Sequence, residues 1–291
     1  MESSATDLKI QWFPGHMTKA RRMIEESIRQ VDVVCEVLDA RIPYSSRIPD
    51  LDELTAGRPR LVVLNRNDQA DPTSTKRWAS IYRAQGYEVL ETDSKTGKGV
   101  NAFSGAVRVL MRDKLEIWER KGQSGRALKV LVIGIPNVGK SSFINRVSGR
   151  RAAETSDRPG VTRGKQWITV NKSLLLLDTP GILWPKFEDT RVGENLAFCG
   201  SIRDGVTDPI ALAAKLLVRL REKNPAGFLT RLKFDPTPEM TGYEMLETAC
   251  RNRGFLISGG ECDYERAAAV ILDEFRAAKL GRVTLELPEE V

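Results

Sequence analysis

The chain has 291 residues, of which 41% are hydrophobic, and these values indicate a soluble protein with a packed core and exclude an intrinsically disordered one. The formal net charge is +6, and the basic excess lies in residues 1–190, which hold 31 Lys and Arg against 23 Asp and Glu. No apolar run approaches the roughly 20 residues that a transmembrane helix needs, so we expect no membrane partner.

Strand and helix patterns alternate from residue 17 to residue 178. Apolar side chains at helical spacing predict a helix over 17–29. The pair Asp71-Pro72 predicts a helix start, because Asp can cap a helix and proline suits its first turn. Further helices are predicted over 99–119 and directly after Gly139. Strands are predicted at 31–39, 60–65, 87–91, 128–134, 166–170 and 173–178, of which 31–39 and 173–178 have the apolar character of buried strands.

This alternation predicts the fold class α/β, with a mainly parallel sheet flanked by helices and a hairpin turn at Asn171-Lys172. Strand signals stop after residue 195, and helices are predicted over 205–222, 241–253 and 263–279. We therefore predict two domains, an α/β domain over 1–190 and an all-helical domain over 191–291. The charged stretch 186–195 is the candidate linker.

The basic residues are densest over 146–172, where seven basic side chains stand against two acidic ones. Such a patch suits a polyanionic partner, but a solvated surface explains the same charges equally well. The four cysteines form no C-x-x-C pair, so we interpret them as reduced and structural, which indicates a cytoplasmic protein.

Residues 134–141 read GIPNVGKS, which matches the phosphate-binding pattern G-x-x-x-x-G-K-[ST] between a predicted strand and a predicted helix. The glycines let backbone N–H groups turn towards phosphate oxygens. Lys140 can reach the β- and γ-phosphates of a nucleotide, and Ser141 can bind Mg²⁺. The residues predicted to bind phosphate are Asn137, Val138, Gly139, Lys140, Ser141 and Ser142.

A second motif, Asp178-Thr179-Pro180-Gly181, ends a buried apolar run. We predict that Asp178 holds Mg²⁺ through water and that the Gly181 amide contacts the γ-phosphate. Between the two motifs, Thr162 can complete the Mg²⁺ shell in the triphosphate state. An ordinary turn residue would give the same pattern at Thr162.

Guanine recognition needs a carboxylate that accepts hydrogen bonds from the N1–H and 2-amino donors. Ras-like GTPases carry it in N-K-x-D, downstream of the phosphate motifs, and nothing after Gly181 fits this pattern. Upstream, Asn65-Arg66-Asn67-Asp68 follows a predicted strand. An ordinary polar turn would look similar, but the register with the other motifs favours base binding. The base motif therefore precedes the phosphate motifs in this chain, whereas it follows them in Ras-like GTPases, so the motif order is circularly permuted.

Two features of this base motif bear on affinity. Arg66 stands where the pattern has Lys, and Arg can stack on the base although the two side chains are not interchangeable. Residues 93–97 resemble the S-A-K loop that backs the base, which makes Ser94 and Lys95 further candidates for nucleotide binding. The predicted base site thus comprises Asn65, Arg66, Asp68, Ser94 and Lys95.

Together with these motifs, Phe13-Pro14-Gly15-His16-Met17, Asp39-Ala40-Arg41 and Leu183-Trp184-Pro185-Lys186 resemble the ribosome biogenesis GTPase A family, the YlqF-type permuted GTPases. The resemblance runs from about residue 11 nearly to the end of the chain. It implies GTP hydrolysis to GDP with Mg²⁺, stimulated by the large ribosomal subunit during its late assembly. It also implies a helical tail that docks on ribosomal RNA and a protein that is monomeric off the ribosome.

Other functions stay open at this point. A GTP-dependent RNA-binding scaffold with negligible hydrolysis would carry the same motifs, and Asp68 argues against a P-loop ATPase unrelated to ribosomes. Asp39-Ala40-Arg41 and the following Ile42–Arg47 could either contact RNA or close the base of the nucleotide domain.

The catalytic residues suggested by the sequence are His16, Lys140 and Thr162. Ile182 occupies the position where Ras-like enzymes use Gln to orient the attacking water, so another group must do so. The resemblance implies His16, the only histidine, although a lone histidine is more often structural. Asn137 resembles the asparagine that holds K⁺ in potassium-dependent GTPases, or it merely shapes the loop.

Overall fold

The structure, a computed structural model, describes residues 15–55, 57–123, 125–153, 165–181, 189–202 and 207–291, with the backbone alone for residues 15–20 and 225. Of the predicted site residues, Thr162 lies outside these ranges and His16 is described only by its backbone. Ile182 and the Leu183-Trp184-Pro185-Lys186 motif also lie outside the described residues.

The described residues form two compact units. The first comprises residues 15–181 and 286–291 and contains a six-stranded sheet with the strand order β3-β2-β1-β4-β6-β5. Every strand pairing is parallel except that of β5 with β6. The strands are β1 (Val33–Asp39), β2 (Arg60–Asn65), β3 (Glu88–Glu91), β4 (Leu128–Ile133), β5 (Gln166–Asn171) and β6 (Leu174–Asp178).

Helices connect these strands, as the alternating pattern predicted. β1 and β2 are buried along their whole length, as expected for parallel strands covered on both faces. Asp71 caps its helix by accepting a hydrogen bond from the Ser74 amide at 2.6 Å, which confirms the predicted helix start. The helices are α1 (Gly15–Ile28), α2 (Leu51–Leu54), α3 (Pro72–Ala84), α4 (Phe103–Leu110), α5 (Arg112–Arg120) and α6 (Lys140–Ser148).

The region predicted to be helical over 99–119 is helical, but it is divided into separate elements. A 3₁₀ turn (Val100–Ala102) precedes α4, and the chain breaks at Met111, whose φ of −107° and ψ of 11° interrupt the helix before α5. Phe103, Val107, Met111 and Trp118 are all buried. The apolar spacing therefore continues across the break. For this reason, sequence periodicity does not reveal where one helix ends and the next begins.

The second unit comprises residues 189–285 and is helical. The helix α8 (Pro209–Lys223) packs against both α10 (Gly242–Arg253) and α11 (Tyr264–Arg276). Among the described residues, no helix has the length and apolar character needed to span a membrane. The helices are α7 (Thr190–Phe198), α8 (Pro209–Lys223), the short α9 (Pro225–Gly227) with a π turn over Phe228–Leu232, α10 (Gly242–Arg253) and α11 (Tyr264–Arg276).

Part of the predicted linker is helix instead. α7 begins at Thr190, and Glu194 within it is 8% exposed and forms an ion pair with Lys215 at 2.7 Å. Of the charges that indicated a linker, Glu194 is therefore paired inside the helical unit.

The C-terminal residues Glu286–Val291 belong to the sheet unit, so the predicted boundary of 191–291 differs from the observed division at this end. The buried Glu286 carboxylate accepts hydrogen bonds from the Tyr44 amide at 2.8 Å and the Ser45 amide at 3.1 Å. The Trp78 indole donates to the Glu286 carbonyl at 3.0 Å. These long-range contacts leave no periodic signal in the sequence.

Candidate functional site

The predicted motifs meet at the carboxyl edge of the parallel strands. In doubly wound sheets this edge is where ligands bind. Asp39 ends β1 and Asp178 ends β6 at this edge. The other segments there are Asn65 to Asp68 at the end of β2, Thr92 to Lys95 after β3 and the loop 134–139 after β4. Fold topology thus brings together residues that the permuted order separates in the chain.

The loop 134–139 turns sharply from β4 into α6. Gly139 has a φ of +88°, and a Cβ there would collide with the Asn65 Nδ2 atom. Asn137 also has a positive φ, of 64°, which asparagine tolerates better than most residues. α6 begins at Lys140, so its N-terminal N–H groups and helix dipole face this loop. Such a loop can bind phosphate.

Lys140 and Asp178 form a buried ion pair. Lys140 Nζ donates to Asp178 Oδ1, and the side chains are 6% and 0% exposed. Burial lowers the pKa of Lys140, while the Asp178 charge opposes that shift. Asp178 Oδ2 is buried and has no hydrogen-bond partner among the described residues. This free acceptor fits the water shell of Mg²⁺.

Gly181 packs closely on the phosphate-binding loop. A Cβ at this position would lie 3.0 Å from both the Cα and the N atom of Pro136. The backbone directly after β6 therefore lies against the phosphate-binding loop.

A cavity of about 240 Å³ lies between the base motif and the phosphate loop. Its lining includes Asp68 of the base motif together with Gly139 and Ser142. The structure thus places both predicted motifs around a single cavity. The lining residues are Asn65, Arg66, Asp68, Gln69, Asp93, Ser94, Lys95, Gly139 and Ser142.

Asn65 ties three segments together. Its Nδ2 donates to the Val138 carbonyl at 2.8 Å, while its Oδ1 accepts from the Ser94 hydroxyl at 2.7 Å and from the Ser94 amide at 3.2 Å. Thr92 Oγ1 donates to the same oxygen at 3.1 Å. The Asn65 side chain therefore sets the spacing between the phosphate loop, residues 134–139, and the base loop, residues 93–97.

Arg66 reaches the phosphate loop as well. Its Nη2 donates to the Asn137 carbonyl at 2.9 Å, and its Nε lies 3.8 Å from Asp39 Oδ2. The residue has a φ of 59°. This contact gives Arg66 a structural role at the cavity wall, in addition to any stacking on a base.

The structure decides between the two interpretations of Asp39-Ala40-Arg41. Arg41 Nη2 forms an ion pair with Asp39 Oδ2 at 2.6 Å, and both side chains are 1% exposed. Burial would raise the pKa of Asp39, but Arg41 and then Arg66 outweigh it, so the pKa lies below its ordinary value. A pair this buried does not present these two side chains to RNA.

Sequence reasoning missed three contributors to the cavity. Gln69 and Asp93 line it, and Arg146 reaches the loop after β3 from α6. Asp93 could have been found, because Asp side chains in turns commonly accept hydrogen bonds from the backbone two residues further on. Here its Oδ1 accepts from the Lys95 amide at 2.8 Å.

Comparison with known proteins gives consistent relatives. A family model described as 50S ribosome-binding GTPase matches residues 129–218. Ribosome biogenesis GTPase A of Bacillus cereus is 43% identical over 281 residues, which cover 97% of this chain and 95% of that protein. Ribosome biogenesis GTPase A of Thermotoga maritima is 31% identical over 283 residues, which cover 97% of this chain and 96% of the relative.

A solved structure is similar over nearly the same length. The crystal structure of GNP-bound YlqF from T. maritima superposes with a TM-score of 0.64 at 29% identity, covering 94% of this chain and all of that one. A GDP-bound structure of the same protein gives the same TM-score. Both the α/β sheet and the helical unit are included in a similarity of this extent.

Proposed function

The chain belongs to the ribosome biogenesis GTPase A family, and we propose that it hydrolyses GTP during late assembly of the large ribosomal subunit. It is a circularly permuted P-loop GTPase with a role in ribosome assembly. The observation that carries the proposal is the single cavity shared by Asp68 and the phosphate loop.

The base end of the cavity selects guanine. Asp68 accepts hydrogen bonds from the guanine N1–H and 2-amino groups, which adenine cannot supply in that arrangement. Ser94 and Lys95 line the cavity beside Asp68, and Arg66 and Asn65 hold that wall against the phosphate loop.

The phosphate end binds and orients the triphosphate. Lys140 and the N–H groups of Asn137, Val138, Gly139, Ser141 and Ser142 bind the phosphates, and Gly181 contacts the γ-phosphate. Ser141, Asp178 and Thr162 would hold Mg²⁺, a role that the free Asp178 Oδ2 supports. When bound, the metal neutralises negative charge on the β- and γ-phosphates.

GDP affinity should fall as the pH decreases. The midpoint of this loss should lie at a higher pH than the ordinary pKa of an Asp side chain. Partial burial and the nearby Asp93 carboxylate raise the pKa of Asp68. Only the carboxylate accepts both guanine donors, so affinity is complete above the Asp68 pKa and is lost as the pH falls through it. Titration with a fluorescent GDP analogue measures the midpoint. Asp93→Asn should move the midpoint to lower pH, and an unchanged midpoint would refute this electrostatic assignment.

His16→Ala should abolish turnover stimulated by the large subunit while GTP binding stays unchanged. Ile182 cannot orient water, which leaves His16 as the proposed water-positioning group. Phosphate release with purified large subunits measures the stimulated rate, and equilibrium titration measures binding. Equal stimulated kcat in variant and parent would remove His16 from the mechanism.

Turnover should be faster in K⁺ than in Na⁺ at equal ionic strength. We propose that Asn137 helps to hold K⁺ near the phosphates, where the cation stabilises charge that develops during hydrolysis. The positive φ of Asn137 equally suits a residue that only shapes the loop. Identical rates in the two salts would leave only the loop-shaping role.

The proposed partner is the large ribosomal subunit, with the helical unit helping to dock on its RNA. We also propose a cytoplasmic protein that is monomeric off the ribosome. Support for a reducing compartment comes from the cysteines, which are buried and not disulfide-bonded: Cys35, Cys199, Cys250 and Cys262. Light scattering of the purified protein tests the monomer.

Co-sedimentation with separated ribosomal subunits tests the proposed function. Binding to the large subunit should be strongest with a non-hydrolysable GTP analogue, intermediate with GTP under turnover and weakest with GDP. The small subunit serves as the matched control. Nucleotide-independent binding, or binding to the small subunit alone, would contradict the proposal. Stable binding without stimulated phosphate release would instead indicate a GTP-dependent scaffold.

A further inference from the structure

Arg146 connects the phosphate helix to the base loop. It lies in the last turn of α6, which begins with Lys140. Its Nε donates to the Ser94 carbonyl at 3.3 Å, and its Nη2 donates to the Lys95 carbonyl. The six residues from Lys140 to Arg146 correspond to about 9 Å along a helix axis. One rigid element therefore touches both the phosphate-binding segment and the loop that lines the base cavity.

The contact includes close packing. Gly97 has a φ of +92°, and a Cβ at this position would lie 3.2 Å from Arg146 Cδ and 3.3 Å from its Nε. The base loop thus rests on the stem and guanidinium of Arg146, and its backbone conformation there favours glycine.

Arg146 supplies what the other supports of this loop cannot. Asp93 Oδ1 accepts from the amides of Lys95 and Thr96, at 2.8 and 3.2 Å, and Asn65 Oδ1 accepts from the Ser94 amide. These oxygen acceptors hold the N–H groups of the loop. The carbonyl groups need a donor, and the planar guanidinium of Arg146 donates to two of them.

We propose that Arg146 is a positioning residue for guanine recognition. A peptide group is planar, so fixing the Ser94 and Lys95 carbonyls also fixes the peptide planes that they share with the next amides. Ser94 and Lys95 both line the cavity that Asp68 lines. The inference rests on the proposed guanine-nucleotide site and assigns to it a residue outside the nucleotide-binding motifs.

Arg146→Ala should weaken GDP binding about 10-fold, which corresponds to about 1.4 kcal/mol. ADP cannot use Asp68 in the same way, so its weak affinity should stay unchanged and the GDP-to-ADP affinity ratio should fall by the same factor. Arg146→Lys should recover part of the ratio, because an ammonium can reach one carbonyl but lacks the planar fork. Competition against a fluorescent GDP analogue measures both affinities.

Arg150→Ala is the matched control. Arg150 is exposed, follows α6 and donates to the Thr169 carbonyl at 3.3 Å, away from the base loop, so the ratio should not change. An unchanged ratio in Arg146→Ala would overturn the proposal. Equal losses of GDP and ADP affinity would also overturn it, since they would show general damage to α6. A parent protein without preference for GDP would overturn the guanine site itself.

Discussion

Asp68→Asn should change the base preference of the protein from guanine to xanthine. The Asn amide offers one acceptor and one donor, whereas the carboxylate offers acceptors only. It therefore leaves one guanine donor without a partner, while its N–H group matches the C2 carbonyl that xanthine carries in place of the 2-amino group. We expect GTP to bind about 10²-fold more weakly, since losing a charge-assisted hydrogen bond with an unpaired donor costs about 3 kcal/mol.

Affinities for GTP and XTP, measured in parallel on parent and variant, check this reversal. Asp93→Asn is the control, because it removes a negative charge from the same cavity. The Asp93 carboxylate already accepts hydrogen bonds from the amides of Lys95 and Thr96. Its replacement should therefore lower the affinities for GTP and XTP alike, without creating a preference for xanthine. If Asp68→Asn kept the parent's preference for GTP, Asp68 would not read the base and the guanine assignment would fail.

The parts of the site that the sequence predicts are those carried by contiguous residues. The phosphate loop over 134–141 and the cap at Asp71 depend on local backbone geometry, and each leaves a pattern within a few residues. The strands could be located for a similar reason, because a buried parallel strand needs an unbroken apolar run. The permuted order followed from these motifs alone, since it requires only their sequence positions.

Contacts between distant segments could not be predicted. Nothing local indicates that Glu286 returns to cap the amides of Tyr44 and Ser45. The same holds for Arg146, which looks like one more charge in a basic stretch until α6 is placed beside the base loop. A guanidinium in solvent and one that holds two carbonyls have identical sequence signatures, because the partner lies some fifty residues away.

Asp39 and Arg41 show how burial resolves an ambiguity of charge. Two charged residues after a strand suit an RNA contact as well as an internal ion pair. The 1% exposure of both side chains decides for the ion pair. The pair in turn lies near Arg66, so the strand that carries no nucleotide motif still shapes the cavity wall.

Lys140→Met should both abolish GTP hydrolysis and destabilise the nucleotide-free protein. Loss of the ammonium removes the phosphate contact and should weaken GTP binding at least about 10²-fold, as expected for a desolvated charge pair. It also leaves the fully buried Asp178 carboxylate without its cationic partner. Breaking a buried ion pair by removing one member costs about 3–5 kcal/mol, so the free energy of unfolding should fall by about 3 kcal/mol.

The double variant Lys140→Met/Asp178→Asn separates these two effects. Removing both charges takes away the uncompensated buried carboxylate, so most of the lost unfolding free energy should return while hydrolysis stays absent. Denaturant titration of the parent, both single variants and the double variant measures the coupling, with the exposed Lys121→Met as a surface control. If the single and double variants were equally unstable, the Lys140–Asp178 pair would not hold the empty phosphate site together, and the stability of that site would have to come from the loop backbone alone.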